Sequence, residues 1–302
     1  MVDVAALQVI TAATFNGLQS RIENVLGSGF TDTGYGQTPS SSIVAVNTLI
    51  TATHVDNLRS DINKCRTHQT GSTSTLGDVV ATDRIGATAS ISKDGTTDTS
   101  KGINDYLAEV ANLEGDKQLC SDTQASIEAA ISSTRSTPWN GTIIHTFSAT
   151  FSSADARRHF FNAGGEIRIT GQLSNGSNAK DSDWANMLAA IGTIKIGSHA
   201  TTQTGSGSGT AIGNYELTAT SQRIFHKLGV AYQYDDNIYI VNAKTLADNV
   251  IQIEIQYQDI HPNGAGVDPN ITGTIVSAIT QRRASGSSVT TPSPTYTNIV
   301  TF

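Results

Sequence analysis

The sequence has few charged residues and few of the features that mark nucleic-acid-binding or membrane proteins. Only 15% of its 302 residues are Asp, Glu, Lys or Arg, and its net charge is -7. The sequence has no basic stripe, which argues against a nucleic-acid partner. No apolar run has the length of a membrane span, so we expect no membrane insertion. The first residues, Met1 to Val4, lack the basic segment and cleavage pattern of a signal peptide.

Sequence motifs for metals and cofactors are also scarce. The two cysteines, Cys65 and Cys120, lack metal-binding or redox spacing. Each lies in a helix-like pattern, so we expect free, buried thiols and folding in a reducing cytosol. The glycine-rich segment 205–209 has no flanking strand–loop–helix unit of the kind that binds nucleotides. The sequence therefore predicts no cofactor and no metal site.

The first 72 residues contain an internal repeat. Ile10-Thr11-Ala12 recurs as Ile50-Thr51-Ala52, and each copy predicts one short amphipathic helix with its Thr as the N-cap. The apolar stripes are Phe15, Leu18, Ile22 and Val25 in the first copy, and Val55, Leu58, Ile62 and Cys65 in the second. Short helices are marginal alone, so each stripe must be buried. A two-helix hairpin and docking onto another chain both satisfy this need, and the two can coexist.

Residues 73–136 predict a connector with short helices. One helical pattern runs through Ile103, Leu107, Val110 and Leu113, and a second covers residues 125–131. Just before the connector, His68 is interpreted as a loop residue that makes hydrogen bonds.

From Trp139 onward the pattern predicts strands. Residues 144–151 and Glu166 to Leu173 alternate, and the Asn162–Gly165 turn joins them, with Phe160 and Phe161 as core anchors near the turn. The clearest alternation covers Val250 to Gln258, which is typical of a strand with one buried face. Other elements predicted here are a helix over 184–191 capped by Asp181 and Asp183, a strand at 215–218, an apolar run at 271–279, and an extended arm ending at Phe302 that lies on a neighbour.

Together these patterns predict an α+β protein. A helical tandem-repeat docking region occupies 1–72, and the connector follows at 73–136. An antiparallel β-sandwich-like domain with one short helix occupies 137–262. A strand and the extended C-terminal arm complete the chain at 263–302.

Several segments resemble virion structural proteins of tailed bacteriophages, especially those of cyanobacteria. The segments are FFNAGGEIR at 160–168, WANML at 184–188, YELT at 215–218 and YIVNA at 239–243, with GYGQ at 34–37, LRSDI at 58–62 and HQTG at 68–71 in the N-terminal half. The resemblance implies assembly into the particle, in the tail, baseplate or fibres. It implies no catalytic residues.

The sequence therefore favours a structural, oligomeric virion protein assembled in the host cytoplasm. Its expected partners are other virion proteins and copies of itself, and its docking candidates are Phe15, Leu18, Ile22, Val55, Leu58, Ile62 and Phe302. One alternative is a fibre adhesin that binds a receptor or host glycan through Tyr232 and Tyr234. Another is a capsid or neck decoration protein. A third, disfavoured alternative is an enzyme with a site at Asp259, His261 and Asp268.

Overall fold

The computed structural model describes residues 10–28, 33–81, 83–91, 95–262, 264 and 266–301. The chain divides into two compact units, each assembled from three separated segments. Unit 1 comprises Met1–Ser126, Arg158–Gly164 and Ala284–Thr291, and unit 2 comprises Ile127–Arg157, Gly165–Arg283 and Pro292–Phe302. Helices dominate the first unit and strands the second.

Three helices form the body of unit 1: α1 (Ala12–Leu26), α2 (Ala52–Thr70) and α3 (Ile103–Gly115). The repeat correctly predicts the starts of α1 and α2, because the Thr11 and Thr51 side chains accept hydrogen bonds from the third residue of each helix. In α2 the His54 ring accepts the Thr51 N–H in return, at 3.1 Å. Among the described helices, none has the length and apolar character needed to cross a bilayer.

The apolar stripes of α1 and α2 are buried together in the core of unit 1. All six described docking candidates lie in this core, where their exposed fractions are 5% or less: Phe15, Leu18, Ile22, Val55, Leu58 and Ile62. The prediction that these side chains dock onto another chain is therefore corrected, because almost none of their area is exposed. The hairpin interpretation is confirmed and extended, since α3 adds Tyr106 and Val110 to the same core. Phe302 lies outside the described residues.

Helix α2 is longer than the pattern predicts and includes His68. The His68 ring is buried and meets the Tyr35 ring edge-on, with centroids 4.8 Å apart. The loop interpretation of His68 was therefore wrong. Gly71 ends the helix in the left-handed region, at φ 82°. The two cysteines form no disulfide. Cys65 is buried in α2 as predicted, whereas Cys120 is only half-buried and lies beyond the end of α3.

The connector contains more strand than the sequence predicts. Its first helical pattern is α3, which confirms that prediction. Three short strands, β1 (Arg84–Ile85), β2 (Ser90–Ile91) and β3 (Thr97–Asp98), form a small antiparallel sheet, and Asp122–Gln124 is a single 3-10 turn. The second helix prediction is wrong, because Ala125–Arg135 forms strand β4. This strand lies next to a strand at Thr274–Ala284, near the end of the chain. Pairing with a distant strand overrides the local helix preference of the alanines.

Unit 2 contains two antiparallel sheets. The further strands are β5 (Gly141–Thr150), β6 (Glu166–Ser174), β7 (Ile194–Ile196), β8 (Thr201–Gln203), β9 (Ser208–Gly209), β10 (Gln222–Leu228), β11 (Ile238–Ala247), β12 (Val250–Asp259), β13 (Thr274–Ala284) and β14 (Thr295–Thr301). One sheet has the order β14-β5-β12-β11-β10-β9, and the other has the order β4-β13-β6-β7-β8. The α+β prediction is confirmed, and two helices, α4 (Ala154–Asn162) and α5 (Ala179–Ile191), complete the chain.

The inner faces of the two sheets meet in a buried core. Strand β12 alternates as predicted and pairs with β5 in a register that places Ile253 opposite Phe147. Ser277 of β13 lies between two side chains of the other sheet, with its Oγ 2.9 Å from His145 Nδ1 and 2.6 Å from Tyr257 Oη. This network gives hydrogen-bond partners to Ser277 Oγ, His145 Nδ1 and Tyr257 Oη between the two sheets.

The connection between β5 and β6 contains a helix rather than a short turn. Phe160 and Phe161 lie in α4, both fully buried, with ring centroids 5.0 Å apart. The turn prediction is confirmed only at Gly164, whose φ is +72°. A Cβ at this position would lie 2.8 Å from the Gln118 carbonyl oxygen, so the glycine is also required for close approach.

The C-terminal arm does not extend away from the chain. It forms β14, which pairs antiparallel with β5 from Thr295 opposite Thr150 to Thr301 opposite Ile144. The edge of β5 offers backbone partners within the chain itself, which explains why the arm prediction was wrong. The strand predicted at 215–218 is likewise a turn, and it is held by the Gly213 N–H donating to the Glu216 carboxylate.

Candidate functional site

The loop between β10 and β11, residues 229–237, carries the receptor-binding candidates and is tightly held. The Gly229 N–H donates to the Asn237 carbonyl at 2.7 Å, which closes the loop at its base. Within it, the Tyr234 N–H donates to the Ala231 carbonyl at 2.7 Å and the Asn237 N–H to the Tyr234 carbonyl at 3.0 Å. The loop is therefore built from two consecutive turns.

Side chains from outside the loop fix its orientation. Asp183 of α5 accepts the Ala231 N–H at 3.0 Å, so it holds the loop instead of capping its own helix. The cap is Asn178, and Asp181 completes its capping box. At the far end, the Asn237 carboxamide oxygen accepts the N–H groups of Ile260 and His261 at 3.0 and 3.1 Å.

The two candidate tyrosines have opposite environments. Tyr232 is 89% exposed at the tip of the loop, whereas Tyr234 is 1% exposed. The Tyr234 hydroxyl donates to Asp268 Oδ2 at 2.9 Å. Tyr234 therefore anchors the loop, and its assignment as a receptor-binding residue is corrected because a buried ring offers no surface.

Tyr232 is one of three exposed apolar residues in this part of the chain. Leu228 and Val230 precede it and are also mostly exposed. They border a shallow groove of about 410 Å³, which is lined by Gly207, Ser208, His226, Lys227, Leu228, Gly229 and Val230. Exposed aromatic and aliphatic side chains beside a groove are suited to binding the apolar face of a ligand. We call Leu228, Val230 and Tyr232 the loop patch.

The three residues of the disfavoured enzyme site have different main partners in the structure. Asp259 forms a buried ion pair with Lys180, whose Nζ lies 3.0 Å from its Oδ2. Burial raises the pKa of Asp259, and the hydrogen bond from Lys180 opposes that shift. Asp268 accepts N–H groups from the first turn of α5, at Ala179 and Lys180.

His261 faces a different set of carboxylates. Its Nδ1 lies 3.8 Å from Asp235 Oδ1 and 3.5 Å from Asp236 Oδ2. Lys180 therefore connects Asp259, which it contacts through its side chain, with Asp268, which accepts its backbone N–H, whereas the His261 ring faces Asp235 and Asp236.

Unit 1 has its own exposed apolar surface, on the segment that connects α1 to α2. Ile43, Val46 and Leu49 are 68%, 82% and 81% exposed, and we call these three residues the docking segment. The side chain of Asn16 in α1 holds the segment at Val44. Its Oδ1 accepts the Val44 N–H at 2.8 Å, and its Nδ2 donates to the Val44 carbonyl at 2.9 Å. The aliphatic side chains therefore project from a backbone fixed to the helices.

Further anchoring comes from α2. The two Asp61 carboxylate oxygens accept the N–H groups of Ser40 and Ser41 at 2.8 and 2.7 Å. Sequence reasoning missed this exposed apolar surface because it considered only the apolar stripes of the helices. The available signal was that residues 37–51 include no Asp, Glu, Lys or Arg.

Comparison with protein-family models, curated proteins and solved structures found no match to this chain. The loop patch and the docking segment are therefore interpreted from their geometry and from the sequence.

Proposed function

We propose that this protein is a structural component of a bacteriophage virion, associated with the tail, baseplate or fibres. It acts by docking and oligomeric assembly, and no catalytic role is assigned to it. The observation that carries the proposal is the docking segment: three large aliphatic side chains project into solvent from a backbone held by Asn16 and Asp61. The resemblance to virion proteins supports a phage particle as the assembly in which this docking takes place.

The docking segment replaces the helix stripes as the docking surface. Fully burying one large aliphatic side chain contributes about 1.5–3 kcal/mol, so three such side chains favour association with another apolar surface. The segment carries no charge of either sign, which suits an apolar groove on a neighbouring virion protein. Because its backbone is already ordered, binding costs little conformational entropy.

The docking proposal can be tested by incorporation into particles. The variant carries Ile43→Ser, Val46→Ser and Leu49→Ser, and particles are assembled in cells that supply it as the sole source of the protein. We expect its amount in purified particles, measured by immunoblot, to fall about tenfold or more, since each 1.4 kcal/mol of lost binding energy corresponds to a factor of about ten.

A matched variant controls for the general loss of exposed apolar surface. Ile127→Ser, Leu246→Ser and Ile260→Ser replace three exposed aliphatic residues of unit 2. This control should enter particles at the level of the unchanged protein. Equal incorporation of both triple variants would contradict a docking role for the segment.

The loop patch favours a second function, adhesion to a host receptor or surface glycan. Tyr232 presents nearly its whole ring to solvent from a held loop, and an aromatic face of this kind packs well against sugar rings. We expect Tyr232→Ala to weaken the binding of purified protein to whole host cells, measured by flow cytometry. Tyr215→Ala, which replaces an exposed tyrosine outside the loop, is the control. Unchanged binding by Tyr232→Ala would remove the loop patch from this function.

A further inference from the structure

Three metal-ligating side chains converge at the base of the β10–β11 loop. One ligand atom from each of Asp235, Asp236 and His261 lies within 4.8 Å of the other two. The two carboxylates come from the loop itself, and His261 follows the end of β12. A bound zinc ion about 2 Å from each ligand would hold the ligand atoms roughly 3–3.5 Å apart. The observed distances of 3.5 and 3.8 Å from His261 Nδ1 are close to that arrangement.

The His261 ring provides an independent observation. Its Nδ1 is buried and makes no hydrogen bond, and only 18% of the side chain is exposed. Leaving such a nitrogen without a hydrogen bond costs about 1–3 kcal/mol. Coordination to a cation would remove this cost, since Nδ1 faces the two carboxylates.

The backbone around the cluster is already positioned. The Asn237 side chain is fully buried and accepts the N–H groups of Ile260 and His261, so one residue links the end of the loop to the histidine. Ligand groups held in place before the ion arrives lose little conformational freedom when it binds. Both aspartates remain more than half exposed, which leaves an entry path for the ion.

We propose that Asp235, Asp236 and His261 bind one divalent transition-metal ion of the zinc class. One imidazole nitrogen with two carboxylate oxygens suits Zn²⁺ better than Ca²⁺ or Mg²⁺, which prefer oxygen ligands alone. Three protein ligands leave at least one position for water or an external group. The ion links the loop that carries Tyr232 to the end of β12. This site does not depend on the virion proposal.

The proposal is tested on the full-length protein after treatment with EDTA. Isothermal titration with ZnCl₂ should show one saturable site, and zinc should shift the His261 ring signals in NMR spectra of the unaltered protein. The paired change Asp235→Asn and Asp236→Asn replaces exposed side chains, and it should weaken zinc binding by about tenfold or more. His261→Ala should have the same effect.

The His199–Glu216 pair provides a matched control. It joins an exposed histidine to a single carboxylate at 2.7 Å, so His199→Ala should leave the zinc titration unchanged. The absence of saturable binding would overturn the proposal and leave a histidine that only faces the two carboxylates. Zinc or Ca²⁺ binding that survives both His261→Ala and the paired aspartate change would also overturn it.

Discussion

Lys180 and Asp259 form an ion pair almost fully removed from solvent. Their side chains are 0% and 1% exposed. Removing two charges from water is costly, and their attraction offsets this only while both partners are present. Lys180 also lies over the Tyr234 ring, 5.7 Å from its centroid, so the pair lies next to the residue that anchors the β10–β11 loop.

We predict that Lys180→Met will destabilise the protein by about 3–5 kcal/mol, because it leaves the Asp259 carboxylate buried without its partner. The free energy of unfolding from urea denaturation measures this loss. Adding Asp259→Asn to the variant should recover part of it, since the uncompensated charge is then absent.

Lys64→Met is the matched comparison. Lys64 pairs with the buried Asp61 at 2.9 Å, but its own side chain is 29% exposed. Asp61 also retains the N–H groups of Ser40 and Ser41. We expect a loss of about 1 kcal/mol or less. Similar losses for the two lysine variants would show that burial of the Lys180 pair has no special energetic weight.

The two tyrosines of the loop show what sequence reasoning lacks at the scale of a single residue. Tyr232 and Tyr234 are two positions apart in the same polar segment, and both were predicted to bind a receptor. The structure exposes one and buries the other. The difference depends on Asp268, which lies 34 positions later in the chain and accepts a hydrogen bond from the Tyr234 hydroxyl. No local pattern identifies that partner.

Among the elements, helices α1 and α2 were the most predictable. Their caps and apolar stripes are local features repeated in the chain, so periodicity and the Thr N-caps located both helices. Strand β4 was the opposite case. Its alanine-rich start matched a helix, and its conformation was decided by a sheet whose neighbouring strand β13 lies more than a hundred residues later.

The contact between the two sheets contains a pH-sensitive element. Burial in the core lowers the pKa of His145 to about 4, and the nearby charge of Arg135 contributes in the same direction. In the unfolded chain the ring has an ordinary pKa of about 6.5. Between these values the unfolded state binds a proton that the folded state does not, so acid favours unfolding.

We predict that the stability of unit 2 is fully retained above about pH 6.5 and falls as the pH drops toward 4, by up to about 1.4 kcal/mol per pH unit. Denaturation curves collected across this range measure the slope. The His145→Gln substitution should reduce this slope, even if it also changes the stability at neutral pH. His199→Gln replaces an exposed histidine and is the control. An unchanged slope in His145→Gln would assign the pH dependence to other groups.

At the scale of the whole molecule, the two units do not follow the order of the chain. Sequence reasoning divided the chain into consecutive regions at residues 72, 136 and 262. The structure assembles each of its two units from three separated segments. Unit 1, for example, combines the helical repeat with residues 284–291, and Val289 from that segment is part of its core.

The sequence by itself determined the α+β class, the helical repeat with its Thr caps and the alternation of β12, because these depend on local periodicity and capping. Only the tertiary structure decided which surfaces remain available. It buried the helix stripes, exposed Ile43, Val46 and Leu49, and brought Asp235 and Asp236 to His261. Burial and convergence depend on contacts between residues far apart in the chain, and no local pattern specifies them.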